Sequence, residues 1–328
     1  MSELAANSTK KLLLSGLLIS VVFTMLVGLV AANLERYVLV GVTVPFAYPW
    51  RLVEPNTLAQ ITAWSGYLFH NILVWIIIYR AQQAKLRFQT TLRSYNWAMI
   101  AVNITAVTLH LLQTYFFYDG LAADVPEVSA QGSVVLMLIV ILIIETPRRG
   151  LFFGKPFNFK HGFIRIAKKY HGYLFSWAII YTFWYHPTEG TWGHLVGFFY
   201  IFLLLTQGSL IFNRAHINKY WTFTLEFLVL VHGVTVAVFQ GNMIWPMFGF
   251  GFGALVVITQ MHGLGLSVWL KRLIAMAFVV GVVAFYALYG RMGDINEVIR
   301  IPVIDYLFIF VLYGLYLLIN KFIMKKAW

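Results

Sequence analysis

Apolar runs of about 20 residues recur along the whole chain, and this repetition limits the folds open to it. An α-helix of that length is what crosses a hydrocarbon core of about 30 Å. The composition agrees, because 60% of the residues are hydrophobic and 11% are charged, unlike a soluble domain. The sequence predicts an all-α integral membrane protein, a helix bundle in the lipid bilayer with about ten transmembrane helices. The predicted spans are 12-33, 59-79, 95-117, 132-146, 168-187, 193-213, 220-240, 244-264, 272-290 and 304-322.

Basic residues concentrate in every second loop between these runs. Lys and Arg in short loops accumulate on the cytoplasmic side of a membrane. If both termini are cytoplasmic, twenty of the 24 basic residues fall on that side and the other side is net acidic. The pattern predicts ten spans, N-in/C-in, and a bacterial inner (cytoplasmic) membrane is the expected location. The twenty residues are Lys10, Lys11, Arg80, Lys85, Arg87, Arg93, Arg148, Arg149, Lys155, Lys160, Arg165, Lys168, Lys169, Arg214, Lys219, Lys271, Arg272, Lys321, Lys325 and Lys326.

The same features exclude several classes of function. Membrane orientation explains the net charge of +12, so no nucleic-acid partner is expected. Without cysteine the chain has no disulfide, thiolate ligand or iron-sulfur cluster of its own. It also lacks the motifs of zinc proteases and serine hydrolases. A cleavable signal peptide is the alternative for the first run, which follows Lys10 and Lys11; we interpret it as a span.

Polar residues divide the chain into three predicted segments. Residues 1-130 form an N-terminal three-helix membrane segment with few intramembrane polar groups. Residues 131-264 hold seven of the nine histidines and form the predicted haem-binding-like helix bundle. Residues 265-328 form a C-terminal two-helix membrane segment.

His171 and His186 lie at opposite ends of the fifth predicted span. Ionisable residues at membrane depth tend to mark functional sites. Fifteen residues separate the two histidines, which is roughly 22 Å of helix rise and a rotation difference of about 60°. One helix face therefore offers an imidazole near each membrane surface, a spacing that suits two stacked haems. The seventh span carries His232 and is the expected partner helix.

These residues resemble a known family. The stretch from Pro147-Arg148-Arg149-Gly150 through Tyr170-His171-Gly172-Tyr173, closing on His186, is similar to the ferric reductase-like transmembrane domain of ferric reductases and NADPH oxidases. The seventh span, with Tyr220, Glu226, Phe227 and His232, resembles the second ligand helix of that family. The similarity covers about 140-245.

The resemblance implies a b-type cytochrome with one or two haem b groups. His171 and His232 would ligate the cytoplasmic-side haem, and His186 the outer one; these three histidines are the predicted metal ligands. The implied function is transmembrane electron transfer from a cytoplasmic-side or quinol donor to an extracytoplasmic acceptor. Such an oxidoreductase would need a separate flavin reductase or redox partner protein, and no catalytic residue is assigned.

The chain departs from the family pattern at the outer haem. The second ligand helix of the family has another histidine about 13 or 14 residues after its first, where this chain has Trp245 and Pro246. Either the outer haem is absent, or its second ligand is Met243, Met247, His194 or another residue. Met243 is favoured because it lies 11 residues after His232, on nearly the same face if the helix continues.

Other polar residues keep two interpretations each. His70 and His110 either bind a further haem or a quinone, or form hydrogen bonds with neighbouring helices. Glu226 is either a proton-relay carboxylate or quinone-site base, or forms a salt bridge with Lys219 or Arg214. The Gly249-Phe250-Gly251-Phe252-Gly253 run indicates close helix packing.

Two functions from other classes therefore stay open beside electron transfer. In a membrane transporter or channel, Glu226, Gln113, Gln207, Gln260 and the intramembrane histidines would line a solute path, with Pro246 as the candidate helix break. The third hypothesis is a non-catalytic subunit or assembly factor of a larger membrane complex.

Overall fold

The secondary structure of the chain is helical throughout. A computed structural model describes residues 3–41, 48–239, 241 and 243–322, and these residues contain no β-strand. Short 3-10 helices lie at Leu121–Ala123, Arg214–Ile217, Gln260–Gly263 and Met292–Asp294. The α-helices of the described residues are α1 (Glu3–Ala31), α2 (Thr57–Gln83), α3 (Ser94–Phe117), α4 (Glu127–Arg149), α5 (His161–Tyr185), α6 (Trp192–Ser209), α7 (Lys219–Phe239), α8 (Trp245–Ile258), α9 (Val268–Leu288) and α10 (Glu297–Phe322).

Each α-helix coincides with one predicted apolar run, which confirms the all-α fold class. Among the described residues, seven helices are long and apolar enough to cross a membrane: α1, α2, α3, α4, α7, α9 and α10. Several such helices are expected of a multi-pass membrane protein. The count of ten spans and the N-in/C-in orientation stay predictions. Lys325 and Lys326, which contribute to the charge pattern, lie outside the described residues.

Local sequence explains where several helices begin and end. The side chain of Asn56 accepts a hydrogen bond from the backbone N–H of Leu58 at the start of α2, and Ser267 caps α9 in the same way. Such caps satisfy backbone donors that have no partner within the helix. Helix α7 stops at Phe239, and Gly241 follows with a left-handed φ of +67°, a conformation that favours glycine.

The chain divides into two compact units that do not follow the predicted segments. The first contains residues Met1–Val134 and Gly172–Leu225, and the second contains Val135–His171 and Glu226–Trp328. Both units are therefore built from two separate stretches of sequence, whereas the predicted boundaries fall after residues 130 and 264. Helices α4, α5 and α7 each contribute residues to both units.

Alternating glycines make α8 the packing centre of the second unit. A Cβ at Gly251 would lie 2.9 Å from Ile301 of α10, one at Gly253 would lie 2.9 Å from Phe278 of α9, and Gly249 faces Val234 of α7. Three neighbouring helices thus approach α8 closely because these positions lack a side chain. The close packing predicted for this run is confirmed.

In the first unit, α2 packs against α3 and α1 packs against α6. Gly66 of α2 lies against the indole of Trp184, close enough that a Cβ would overlap the six-membered ring. The indole is 1% exposed, and its Nε1–H donates to His70 Nδ1 at 3.4 Å. A large aromatic side chain therefore fills the space that a glycine leaves open on α2.

Candidate functional site

Asp305 is a buried carboxyl group in the middle of an apolar helix of the second unit. It lies eight residues after Glu297, the first residue of α10, which is about 12 Å along the axis. The residue is 1% exposed, and its Oδ2 has no hydrogen-bond partner among the described residues. The span predicted from the sequence begins at residue 304, which places Asp305 at the very start of that span. In the structure α10 begins seven residues earlier and continues through Pro302, so Asp305 lies more than two turns into the helix.

The second unit also contains a buried ion pair. Arg149 NH1 donates to Glu226 Oε2 at 2.7 Å, and the two side chains are 1% and 2% exposed. The predicted partners of Glu226, Lys219 and Arg214, are therefore wrong. Arg149 closes α4 inside the unit and is not a loop residue of the basic side.

The pair is incompletely satisfied. Arg149 Nε, Arg149 NH2 and Glu226 Oε1 have no hydrogen-bond partner among the described residues. Burying an ion pair costs desolvation energy that one hydrogen bond does not fully offset. Within the described structure, the Arg149 and Glu226 side chains are thus fixed mainly by the hydrogen bond between them.

Helix α8 ends between these charged groups. It has 14 residues, or about 21 Å, which is short of a hydrocarbon core of about 30 Å. Thr259, the residue after α8, donates to Leu151 O at 2.7 Å and bonds the hydroxyl of Tyr306, which follows Asp305. Gln260 is next, and its buried Oε1 has no partner in the described part of the chain. The Thr259 hydroxyl, the Tyr306 hydroxyl and the backbone carbonyl of Leu151 therefore meet where α8 stops.

The predicted haem ligands of the second unit differ in their surroundings. His171 Nδ1 lies 2.7 Å from Lys168 O; because a carbonyl only accepts, Nδ1 carries the proton. His232 lies within α7 and is partly buried. Met243 lies beyond the end of α7 and is 56% exposed. The expectation that Met243 continues the helical face of His232 is wrong, because α7 ends four residues before it.

Four residues, including the predicted His186 and His194, form one hydrogen-bonded chain in the first unit. Tyr48 OH lies 2.9 Å from His186 Nδ1 and 2.8 Å from His194 Nε2, and Thr191 Oγ1 lies 2.7 Å from His194 Nδ1. A phenol has one proton, so it donates to one imidazole and accepts from the other. Burial raises the pKa of Tyr48 well above its ordinary value, which keeps the phenol neutral and able to donate. Both ring nitrogens of His194 are used in this chain.

His70 and His110 form hydrogen bonds with neighbouring helices, which is one of the two interpretations that the sequence left open for them. His70 Nε2 lies 2.9 Å from Asn103 Oδ1 of α3, and its Nδ1 accepts from Trp184 of α5. His110 Nε2 donates to His186 O at 2.9 Å, at the end of α5. These bonds satisfy polar groups that would otherwise be costly in an apolar interior.

Asp119 is a buried acid outside the spanning helices. Its Oδ1 accepts from the backbone N–H of Leu52 at 2.9 Å. Burial raises the pKa of Asp119 to about 6, and the nearby Asp124 acts in the same direction, while the bond from Leu52 and the charge of Arg51 oppose them. Folding therefore favours the protonated acid. This contribution is complete below the ordinary pKa of the group, and it is lost as the pH rises through about 6.

A metal centre built from side chains alone is not present among the described residues, since no three His, Asp or Glu side chains come together there. Comparison with models of known protein families, with curated proteins and with solved structures finds no match for this chain. The resemblance to ferric reductase-like domains and the predicted ligands stay predictions. The clearest groups that sequence analysis missed are Asp305, Arg149 and Tyr48.

Proposed function

We propose that the chain is a proton-coupled membrane transporter in which Asp305 binds the transported proton. The observation that carries this proposal is the buried carboxyl group on α10 whose Oδ2 has no hydrogen-bond partner in the described structure. An ionised carboxylate in such surroundings is costly unless it is paired. Binding a proton removes that cost, and ionisable groups inside membranes commonly serve proton pathways.

The contrast with Glu226 supports the choice of Asp305. Glu226 has a permanent cation, Arg149, at 2.7 Å, and arginine stays protonated in proteins. The charge of Glu226 is thus compensated without a proton. Among the described residues Asp305 forms no salt bridge, and its Oδ2 has no hydrogen-bond partner. A carboxylate that lacks a fixed partner is free to exchange its proton during a transport cycle.

The end of α8 supports the same function. Helices that stop inside the membrane form the binding sites of many transporters, and irregular backbone at that depth is tolerated where protein covers it. The last carbonyls of α8 are covered in this way: Phe153 N donates to Ile258 O at 2.7 Å and His262 Nε2 to Val257 O at 3.1 Å.

Replacing Asp305 with asparagine tests the proposal. Asparagine has the shape of the protonated acid but cannot exchange a proton. In proteoliposomes with an imposed membrane potential and an internal pH-sensitive dye, we expect D305N to reduce proton uptake more than tenfold. Infrared difference spectra recorded at two pH values should lose the carbonyl band of one carboxyl group.

Asp294→Asn is the matched control, because Asp294 lies in the same unit and its side chain is 52% exposed. We expect this variant to keep both the proton uptake and the infrared band. Equal uptake by wild type and D305N, with the band unchanged, would refute the role of Asp305.

Electron transfer by haem b is a second candidate, and one observation favours it. The Nδ1 atoms of His171 and His186 are each held by a hydrogen bond, to Lys168 O and to Tyr48 OH. Metal-ligating histidines usually have one ring nitrogen fixed in this way while the other binds the metal. His171 and His186 fit imidazole ligation of haem, and His232 is the proposed partner of His171. A bound haem would supply one-electron redox chemistry.

The optical spectrum of the purified protein tests this second candidate. A b-type cytochrome should show a sharp α band after reduction with dithionite. His171→Ala and His232→Ala should then remove the same spectral component, because low-spin iron needs both axial ligands. His186→Ala should leave that component intact. A dithionite-reduced spectrum without haem bands would refute this second candidate, and transport would be the one proposal that remains.

A further inference from the structure

A groove of about 420 Å³ lies between α2 and α3 of the first unit. Its walls include Phe69, Leu109, Leu112 and Phe116, whose side chains are 42 to 60% exposed. Both helices are candidate membrane spans, so these walls face the hydrocarbon of the bilayer. The volume is that of a site for a small organic molecule, and access is from the lipid.

One buried polar atom distinguishes this groove from a plain gap between helices. Gln113 lines it and is 5% exposed. Its Nε2 donates to Asp119 O at 2.7 Å, which fixes the orientation of the amide and leaves Oε1 as an acceptor. Oε1 is buried and has no hydrogen-bond partner among the described residues.

While its ring is neutral, the nearby His110 cannot supply a hydrogen to this oxygen. His110 is one helical turn before Gln113, and its side chain lies close to the amide. His110 Nε2 donates to His186 O, so Nδ1 of the neutral ring is an acceptor, and it too has no partner in the described structure. Two acceptors side by side repel each other, and both need a donor from elsewhere.

The chemistry of the lining narrows the choice of ligand. None of the described residues that line the groove is charged, so nothing there complements a phosphate or carboxylate. Phe69, Phe116 and Trp184 offer aromatic surfaces instead. The groove therefore suits a neutral, flat headgroup that carries a hydroxyl donor and an apolar chain lying along the helices.

We infer that this groove binds a quinol, whose hydroxyl group donates to Gln113 Oε1. The reduced ring supplies the donor that Gln113 Oε1 lacks, whereas the oxidised quinone has only carbonyl acceptors. This inference does not depend on the transport proposal, because it uses residues of the first unit alone. It assigns the groove a ligand class and a preference for one redox form.

Equilibrium binding to the purified protein in lipid nanodiscs tests the inference without any substitution. The probes are a decyl-substituted ubiquinol and the matching ubiquinone. One additional hydrogen bond to a buried acceptor predicts about tenfold tighter binding of the quinol. Equal dissociation constants for the two forms, or no binding of either, would overturn the inference. Retention of a phospholipid in the groove by native mass spectrometry, without quinol, would also overturn it.

Two substitutions locate the site. Gln113→Leu should weaken quinol binding about tenfold and abolish the difference between quinol and quinone. Leu109→Trp should fill the groove and block both probes while Gln113 stays in place. The matched control is Gln260→Leu in the second unit, since Gln260 is also 5% exposed with a buried Oε1 that has no partner in the described residues. This control should leave both dissociation constants unchanged; a tenfold loss in it would refute a site at Gln113.

Discussion

Replacing Glu226 with glutamine is expected to lower the free energy of unfolding by about 3–5 kcal/mol, because it leaves a buried cation without its partner. The Arg149 side chain is 1% exposed, and its single ion-pair bond is the one to Glu226 Oε2 among the described residues. Arginine does not release its proton in proteins. The variant must therefore bury a charge, admit water or separate the helices that hold it.

The opposite single substitution should be less harmful. Arg149→Met leaves Glu226, which becomes neutral by binding a proton, so we expect a smaller loss of about 1–3 kcal/mol. In the double variant R149M/E226Q no charge remains, and the neutral amide that replaces the carboxylate costs less to bury than an unpaired charge. Thermal unfolding of the detergent-solubilised variants should rank E226Q lowest, R149M next, and the double variant nearest to wild type.

The adjacent ion pair provides the control. Arg148 and Glu145 also form a salt bridge, but their side chains are 35% and 22% exposed. Glu145→Gln should therefore cost less than about 1 kcal/mol. Similar losses for E145Q and E226Q would show that burial of the Arg149–Glu226 pair does not govern its strength.

Helix positions follow from the sequence more reliably than helix ends. Apolar runs of the right length identified each described α-helix, because a bilayer requires that pattern. The errors arise at Pro302 and Gly241. Proline usually marks a helix boundary because it lacks the backbone N–H, yet α10 starts at Glu297 and continues through Pro302, its sixth residue. Glycine with positive φ follows the end of α7, which removes Met243 from the helix that carries His232.

Site residues that act through distant partners were harder to predict. Arg149 and Glu226 are 77 residues apart, and charge counting alone assigned Arg149 to the cytoplasmic loops. Tyr48 joins His186 and His194 from a loop that carries no periodic signal. The isolated acid in Val303-Ile304-Asp305-Tyr306 was visible in the sequence, and extending the span to residue 297 would have placed it at membrane depth.

The glycine that accommodates Trp184 gives the second large expected effect. Gly66→Ala should destabilise the protein by about 1–3 kcal/mol, the usual cost of overpacking a filled core. The added methyl group would overlap the six-membered ring of Trp184. That ring has little room to move, since it is 1% exposed and its N–H is bound to His70. In an open helix position the same change is favourable by about 0.5–1 kcal/mol.

Two companion variants separate overlap with the ring from a general effect of glycine replacement. A Cβ at Gly132 of α4 would lie in open space, with no neighbouring atom within 4 Å, so Gly132→Ala should maintain or raise the melting temperature. Trp184→Phe removes the overlapping ring atoms. In that background Gly66→Ala should cost little, and the double-mutant cycle should give a coupling energy of about 1–2 kcal/mol. Trp184 also lines the groove between α2 and α3. If the effects of Gly66→Ala and Trp184→Phe on stability were additive, Gly66 would not set the position of the indole in that groove.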